Sequence, residues 1–140
     1  MILDTTLLTE DVVRKINALV GASYPVIKRL RMGGTGSRRM ELVSASPQFA
    51  HFLADNSDTV YANIELREKG ILLHFKKYQT RYSWLIPYHQ LVIFKSDTFS
   101  IHSAGQNMRF HAEKMDELNS RFVTRMLEIK AQYLGDSIDQ

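Results

Sequence analysis

The sequence contains no cysteine, so it can hold neither a disulfide framework nor a zinc site built on thiolates. No apolar run reaches the ~18 residues that a membrane-crossing helix needs. The opening Met1-Ile2-Leu3-Asp4 lacks both the basic lead and the long apolar core of a secretory signal. Internal repeats and low-complexity tracts are missing too. These absences point to a folded chain in the cytoplasm. Catalytic signatures are equally scarce. Histidines never occur as H-x-H or H-E-x-x-H, the spacings that gather metal ligands. His51, His74 and His89 are too scattered to define a nucleophile–base order. The expectation is a protein with no metal, no cofactor and no enzymatic activity.

What is present suits one domain of 140 residues. Its hydrophobic share of 44% and charged share of 24% allow a real core and argue against disorder. A net charge of +3 permits anionic partners without requiring them. Distribution says more than the sum. Lys28, Arg29, Arg31, Arg38 and Arg39 share one stretch in which Glu41 is the lone acid, whereas the tail carries Asp136 and Asp139.

Periodicity divides the domain into an N-terminal helix within residues 1–22, a β-rich core over 24–111 and a C-terminal helix over 113–134. Thr9 is placed to cap a helix from Glu10 to Val20, with Val12, Val13, Ile16, Leu19 and Val20 inward, Leu8 and Val13 as a hydrophobic staple, and Gly21 at the end. Alternation from Tyr24 to Met32 reads as a strand, broken by Gly33-Gly34-Thr35-Gly36-Ser37 and resumed from Arg38 to Val43. Ser44 or Ser46 precedes a short helix near 47–54, and Asp55-Asn56-Ser57-Asp58 closes it as a loop. Short strands follow. Val60, Ala62, Ile64 and Leu66 share one face; Glu68-Lys69-Gly70 turns with glycine at positive φ; and Ile71, Leu73 and Phe75 oppose Leu72, His74 and Lys76. Tyr82, Trp84 and Ile86, then Leu91 to Phe94, Phe99 with Ile101, and Met108 with Phe110 complete the meander.

A long amphipathic helix ends the chain. Met115, Leu118, Phe122, Met126, Ile129 and Tyr133 fall on one stripe, opposite Glu113, Glu117, Ser120, Thr124 and Glu128, with Gly135 as the stop. Val123, Leu127 and Leu134 form a second apolar ridge, which implies a homodimer contact. The fold class expected is α+β: a bent sheet or barrel flanked by helices.

The run through Ile64-Glu65-Leu66, Gly70-Ile71-Leu72 and Trp84-Leu85-Ile86-Pro87-Tyr88, with the hairpin at 24–43 and the closing helix, resembles the pleckstrin-homology-like (PH-like) barrel. It is most similar to small bacterial members of that superfold. The resemblance implies a non-catalytic binding or scaffolding module, with a protein partner or self-association favoured. In lipid-binding members, basic residues around the first hairpin hold phosphate head groups, and Lys28, Arg31, Arg38 and Arg39 stand in similar places. The chemistry agrees, because guanidinium forks and glycine-rich backbone both suit phosphate oxygens. Lys28, Arg29, Arg31, Arg38 and Arg39 are thus the candidate anion-binding residues, for an anionic lipid or an inositol phosphate, with a nucleic-acid or acidic-protein contact through the same patch as the alternative.

Other constellations are weaker. The glycine run lacks the order G-x-x-x-x-G-K-[ST] and is read as joining two strands, so it is no nucleotide loop. Tyr61, Tyr78, Tyr82, Trp84 and Tyr88 beside Lys76, Lys77 and Arg81 invite a nucleic-acid reading, but Tyr82 and Trp84 share the inward face with Ile86. With a turn at 103–106, Ser100 faces Arg109, His102 faces Asn107 and Thr98 faces His111. That register keeps His102 and His111 two rows apart, too far to share a ligand easily.

Overall fold

The computed structural model describes residues 1–53, 59–112 and 117–138, with side chains up to residue 135. Eight antiparallel strands form one sheet in the order β1-β5-β4-β3-β2-β8-β7-β6. They are β1 (Ile2–Asp4), β2 (Met40–Ala45), β3 (Tyr61–Leu66), β4 (Gly70–Lys77), β5 (Thr80–Pro87), β6 (Val92–Lys95), β7 (Thr98–Ser103) and β8 (Gln106–His111). The helices are α1 (Glu10–Val20), α2 (Val26–Arg31) and α3 (Glu117–Ile138). The class is α+β, and the sheet is not closed, because β1 and β6 end it without pairing with each other. No helix among the described residues is long and apolar enough to cross a membrane.

Strand alternation decides the layers. Ala62, Ile64 and Leu66, Ile71, Leu73 and Phe75, Trp84 and Ile86, Phe99 and Ile101, and Met108 and Phe110 all enter one core. Phe122, Val123 and Met126 of α3 close it, and Tyr133 packs against Tyr88 at 5.5 Å. On the other face Leu72 and Leu85 meet Ile16 and Val20 of α1. Strand β4 is therefore buried on both sides from Gly70 to Phe75. Strand β2 joins the two halves of the sheet: Met40 and Glu41 pair with β3, Leu42 to Ala45 with β8, and the register shifts between Leu42 and Ser44.

Many expectations hold. Thr9 caps α1 by accepting from Val12 N–H, Gly21 ends it at φ 83°, and the β7–β8 register pairs Ser100 with Arg109, His102 with Asn107 and Thr98 with His111. Others do not. Residues 26–31 are helix, not strand. Both edges of β2 are occupied by β3 and β8, β4 holds one edge of β3, and the part of its other edge that β2 leaves free is taken by residues 35–37, through Ser37 N–H to Ile64 O at 2.8 Å and Leu66 N–H to Thr35 O at 2.7 Å. With the edges of β2 and β3 already taken, the segment after Pro25 satisfies its backbone locally, and its Leu, Lys and Arg are good helix formers. The staple residues Leu8 and Val13 stay 62% and 39% exposed.

The short helix near 47–54 is a tighter 3₁₀ segment, Pro47–Phe52, without a side-chain cap; Ser46 Oγ instead accepts from Asn107 N–H at 3.1 Å. Gly135 does not stop α3, which runs on to Ile138, and Gly135 is not in the positive-φ region that a helix stop uses. Leu118 is 49% exposed, whereas Val123, placed on the outer ridge, is core; Leu127 stays 44% exposed. The loop expected at 55–58, and Glu113 and Met115, lie outside the described residues. Strand β1, which was not foreseen, pairs Ile2 with Trp84 and Asp4 with Tyr82.

Gly70 is needed for space rather than for positive φ. A Cβ there would lie 2.4 Å from Ile86 O and 2.8 Å from Pro87 Cα, both backbone atoms that cannot step aside. Gly70→Ala is expected to destabilise the fold by about 1–3 kcal/mol. Urea unfolding checks it, and an unchanged midpoint would contradict the packing described.

Candidate functional site

The five expected anion-binding residues do not form one hairpin tip. Lys28, Arg29 and Arg31 belong to α2, all six residues of which are exposed. Lys28 Nζ sits 5.0 Å from the Tyr24 ring centre. Adjacent Arg38 and Arg39 diverge. Arg38 lines a cleft of about 670 Å³ against α3, together with Arg121, Arg125 and Glu128. Arg39 lines a second cleft, of about 430 Å³, with Tyr61, Lys76 and Arg81.

The first cleft is held together by its own polar groups. Arg38 N–H donates to Asn119 Oδ1 at 2.9 Å and Asn119 Nδ2 donates back to Arg38 O at 3.3 Å, so one buried amide satisfies a loop peptide on both sides. Arg125 donates through Nη1 to Met32 O, and Gly33 leaves it room, since a Cβ there would come within 2.9 Å of that nitrogen. Arg121 pairs with Glu117 at 2.6 Å. These cations fasten α3 or face carboxylates. Asn119 and Arg125 were missed from sequence because no periodicity distinguishes a clamping amide from a solvated one.

The second cleft differs. Arg39 Cζ lies 4.3 Å from the Tyr61 ring centre, and Lys76 is directly opposite Arg81 in the β4–β5 ladder. Nucleic-acid-like residues therefore do gather with one member of the basic stretch, although Tyr82, Trp84 and Tyr88 pack in the core.

Beside it lies a polar row crossing β3, β4, β5 and the residue after β1. His74 Nδ1 is 2.6 Å from Ser83 Oγ, which is 2.7 Å from Thr5 Oγ1. Glu65 holds Arg67 at 2.5 Å and lies 3.5 Å from His74 Nε2, a nitrogen that makes no hydrogen bond of good geometry. With the Nε2 proton toward the carboxylate, Nδ1 accepts from Ser83, and the Thr5 hydroxyl, which lies between Ser83 Oγ at 2.7 Å and Arg81 O at 3.4 Å, ends the row. Serine, histidine and glutamate thus stand in line, yet Ser83 is fully buried, and its hydroxyl is committed at both ends. The row reads as a structural network, satisfied except at His74 Nε2, which faces the Glu65 carboxylate at 3.5 Å without a hydrogen bond of good geometry. His102 and His111 stand apart from it on β7 and β8, His102 bonded to Ser100 at 3.0 Å and stacked edge-on to Phe94.

Comparison of the chain with protein-family models, with curated proteins and with solved structures finds no match.

Burial holds His74 below its ordinary 6.5, with Glu65 opposing and Arg81 assisting. For Glu65 burial works upward, but His74 and Arg67 outweigh it and bring the carboxyl to about 2. Both signs agree. The fold disfavours protonated His74, so that stability is complete above pH 6.5 and declines as pH falls through it; the Glu65 contribution is complete above 4.5 and is lost toward about 2. Unfolding midpoints measured from pH 8 to pH 2 are expected to fall in two stages, with His74→Gln flattening the first and Glu65→Gln the second. Unchanged profiles in both variants would refute the assignment.

Proposed function

We propose that this protein is a non-catalytic binding module of the PH-like kind that docks on an anionic lipid surface through α2 and the loop after it. Two three-stranded meanders, β3–β5 and β6–β8, joined through β2 and covered on their inner face by α3, support the PH-like reading. The observation that carries the docking is α2 itself. Val26, Ile27 and Leu30 are 62%, 67% and 77% exposed, and no described residue covers them. At roughly 100° per residue these three share one arc, and Lys28, Arg29 and Arg31 occupy the rest of the circumference. Apolar side chains that enter the headgroup layer, flanked by cations that remain at its surface, suit an interfacial helix. Each basic residue near an anionic surface adds about 1 kcal/mol, so the association is weak and salt-sensitive.

Sedimentation with vesicles tests this. The protein is expected to pellet with phosphatidylglycerol vesicles and not with neutral ones. Ile27→Asp/Leu30→Asp and Arg29→Ala/Arg31→Ala should each abolish pelleting without moving Tm, since none of the four side chains enters the core. A protein that stays in solution with anionic vesicles at low salt would overturn the reading, and salt-dependent oligonucleotide binding in its place would assign the surface to nucleic acid.

A further inference from the structure

The cleft at Arg39, Tyr61, Lys76 and Arg81 has features that docking through α2 does not use. Lys76 and Arg81 face each other directly across the β4–β5 pair, a placement that costs stability through repulsion. Neither has an ion-pair partner among the described residues. No described carboxylate lines the cleft; Glu41 lies opposite Tyr61 in the β2–β3 ladder but is not part of the lining. Arg39 supplies a third cation, oriented by its stacking on Tyr61. The scaffold is firm. Thr5 N–H donates to Arg81 O at 2.8 Å, and Arg81 N–H donates to Thr6 Oγ1 at 2.9 Å, which ties the β5 backbone at this point to the turn after β1. His74, 4% exposed and with Nε2 lacking a hydrogen-bond partner, lies in the same wall.

We propose that this cleft binds a phosphate monoester, with the phosphoryl group between Lys76 and Arg81 and the rest of the ligand against Tyr61. A dianion matches paired cations better than a carboxylate does, and the Arg81 fork can take two of its oxygens. A cleft of about 430 Å³ admits a small ligand. The bound group relieves the repulsion that the empty ladder carries. No residue of α2 lines this cleft, so the site is separate from the proposed lipid-docking surface.

Amide-resolved NMR titration with inorganic phosphate and with phenyl phosphate tests it. Saturable shifts are expected at Tyr61, Lys76 and Arg81, with phenyl phosphate binding more tightly because its ring meets Tyr61. Arg81→Gln and Lys76→Gln should each weaken binding at least about tenfold, the equivalent of one charge-assisted hydrogen bond. In phosphate-free buffer both variants should melt at or above the temperature of the native protein, and phosphate should raise Tm of the native protein alone. That separates lost binding from lost folding. Arg29→Ala/Arg31→Ala must leave the titration unchanged. If phosphatidic acid vesicles move these amides while the soluble phosphates do not, the phosphate source is a lipid headgroup. Absence of saturable shifts with all three probes, or equal binding by the Lys76 and Arg81 variants, would overturn the proposal.

Discussion

The burial of β4 on both faces is the constraint on which everything else rests. Between Gly70 and Phe75 each side chain belongs alternately to the α3 side or the α1 side, so one strand ties two apolar clusters into one body. The cost falls on polar groups that cannot reach water. His74 stands where that strand leaves the cover of α1, and Ser83, Thr5 and Glu65 surround it because a bare imidazole there would be expensive. One step further along the same strand, Lys76 emerges into the open cleft. The gradient from apolar to networked to charged along a single strand is how the core positions a surface.

The glycine segment between α2 and β2 distributes charge in a comparable way. Its backbone is held by β3 on one side and by Asn119 on the other, and successive arginines consequently leave toward different clefts. Charge that is contiguous in sequence becomes dispersed in space. A linear count of cations therefore overstates the density of any one site.

The sequence disclosed most where periodicity met burial. The cap at Thr9, the inward sets of β3, β4, β5, β7 and β8, and the β7–β8 register follow from alternation and turn position. It misled at Tyr24–Met32, where alternation of apolar and basic residues fits a strand, but both edges of β2, the strand it would have paired with as a hairpin, are taken by β3 and β8. Helix and strand patterns coincide over so short a run, and the availability of a partner decides between them. Gly70 differs from expectation because glycine signals both conformational freedom and missing volume, and only its neighbours tell which; Gly135 needs neither, having open space where a Cβ would lie and no positive φ, so the helix simply runs through it. At the site, the residue types were visible and their grouping was not. Arg39 meets Lys76 and Arg81 only because β2, β3, β4 and β5 are sheet neighbours in that order.

The Asn119–Arg38 clamp joins residues 81 positions apart. Closing so long a loop is entropically costly and waits on contacts made elsewhere. The loop that carries α2 is thus held twice, by β3 through Thr35 and Ser37 and by α3 through Asn119. The direction of the apolar arc of α2 is therefore set jointly by the sheet and the C-terminal helix, so a change in how α3 seats is felt at a surface to which α3 contributes no residue of its own.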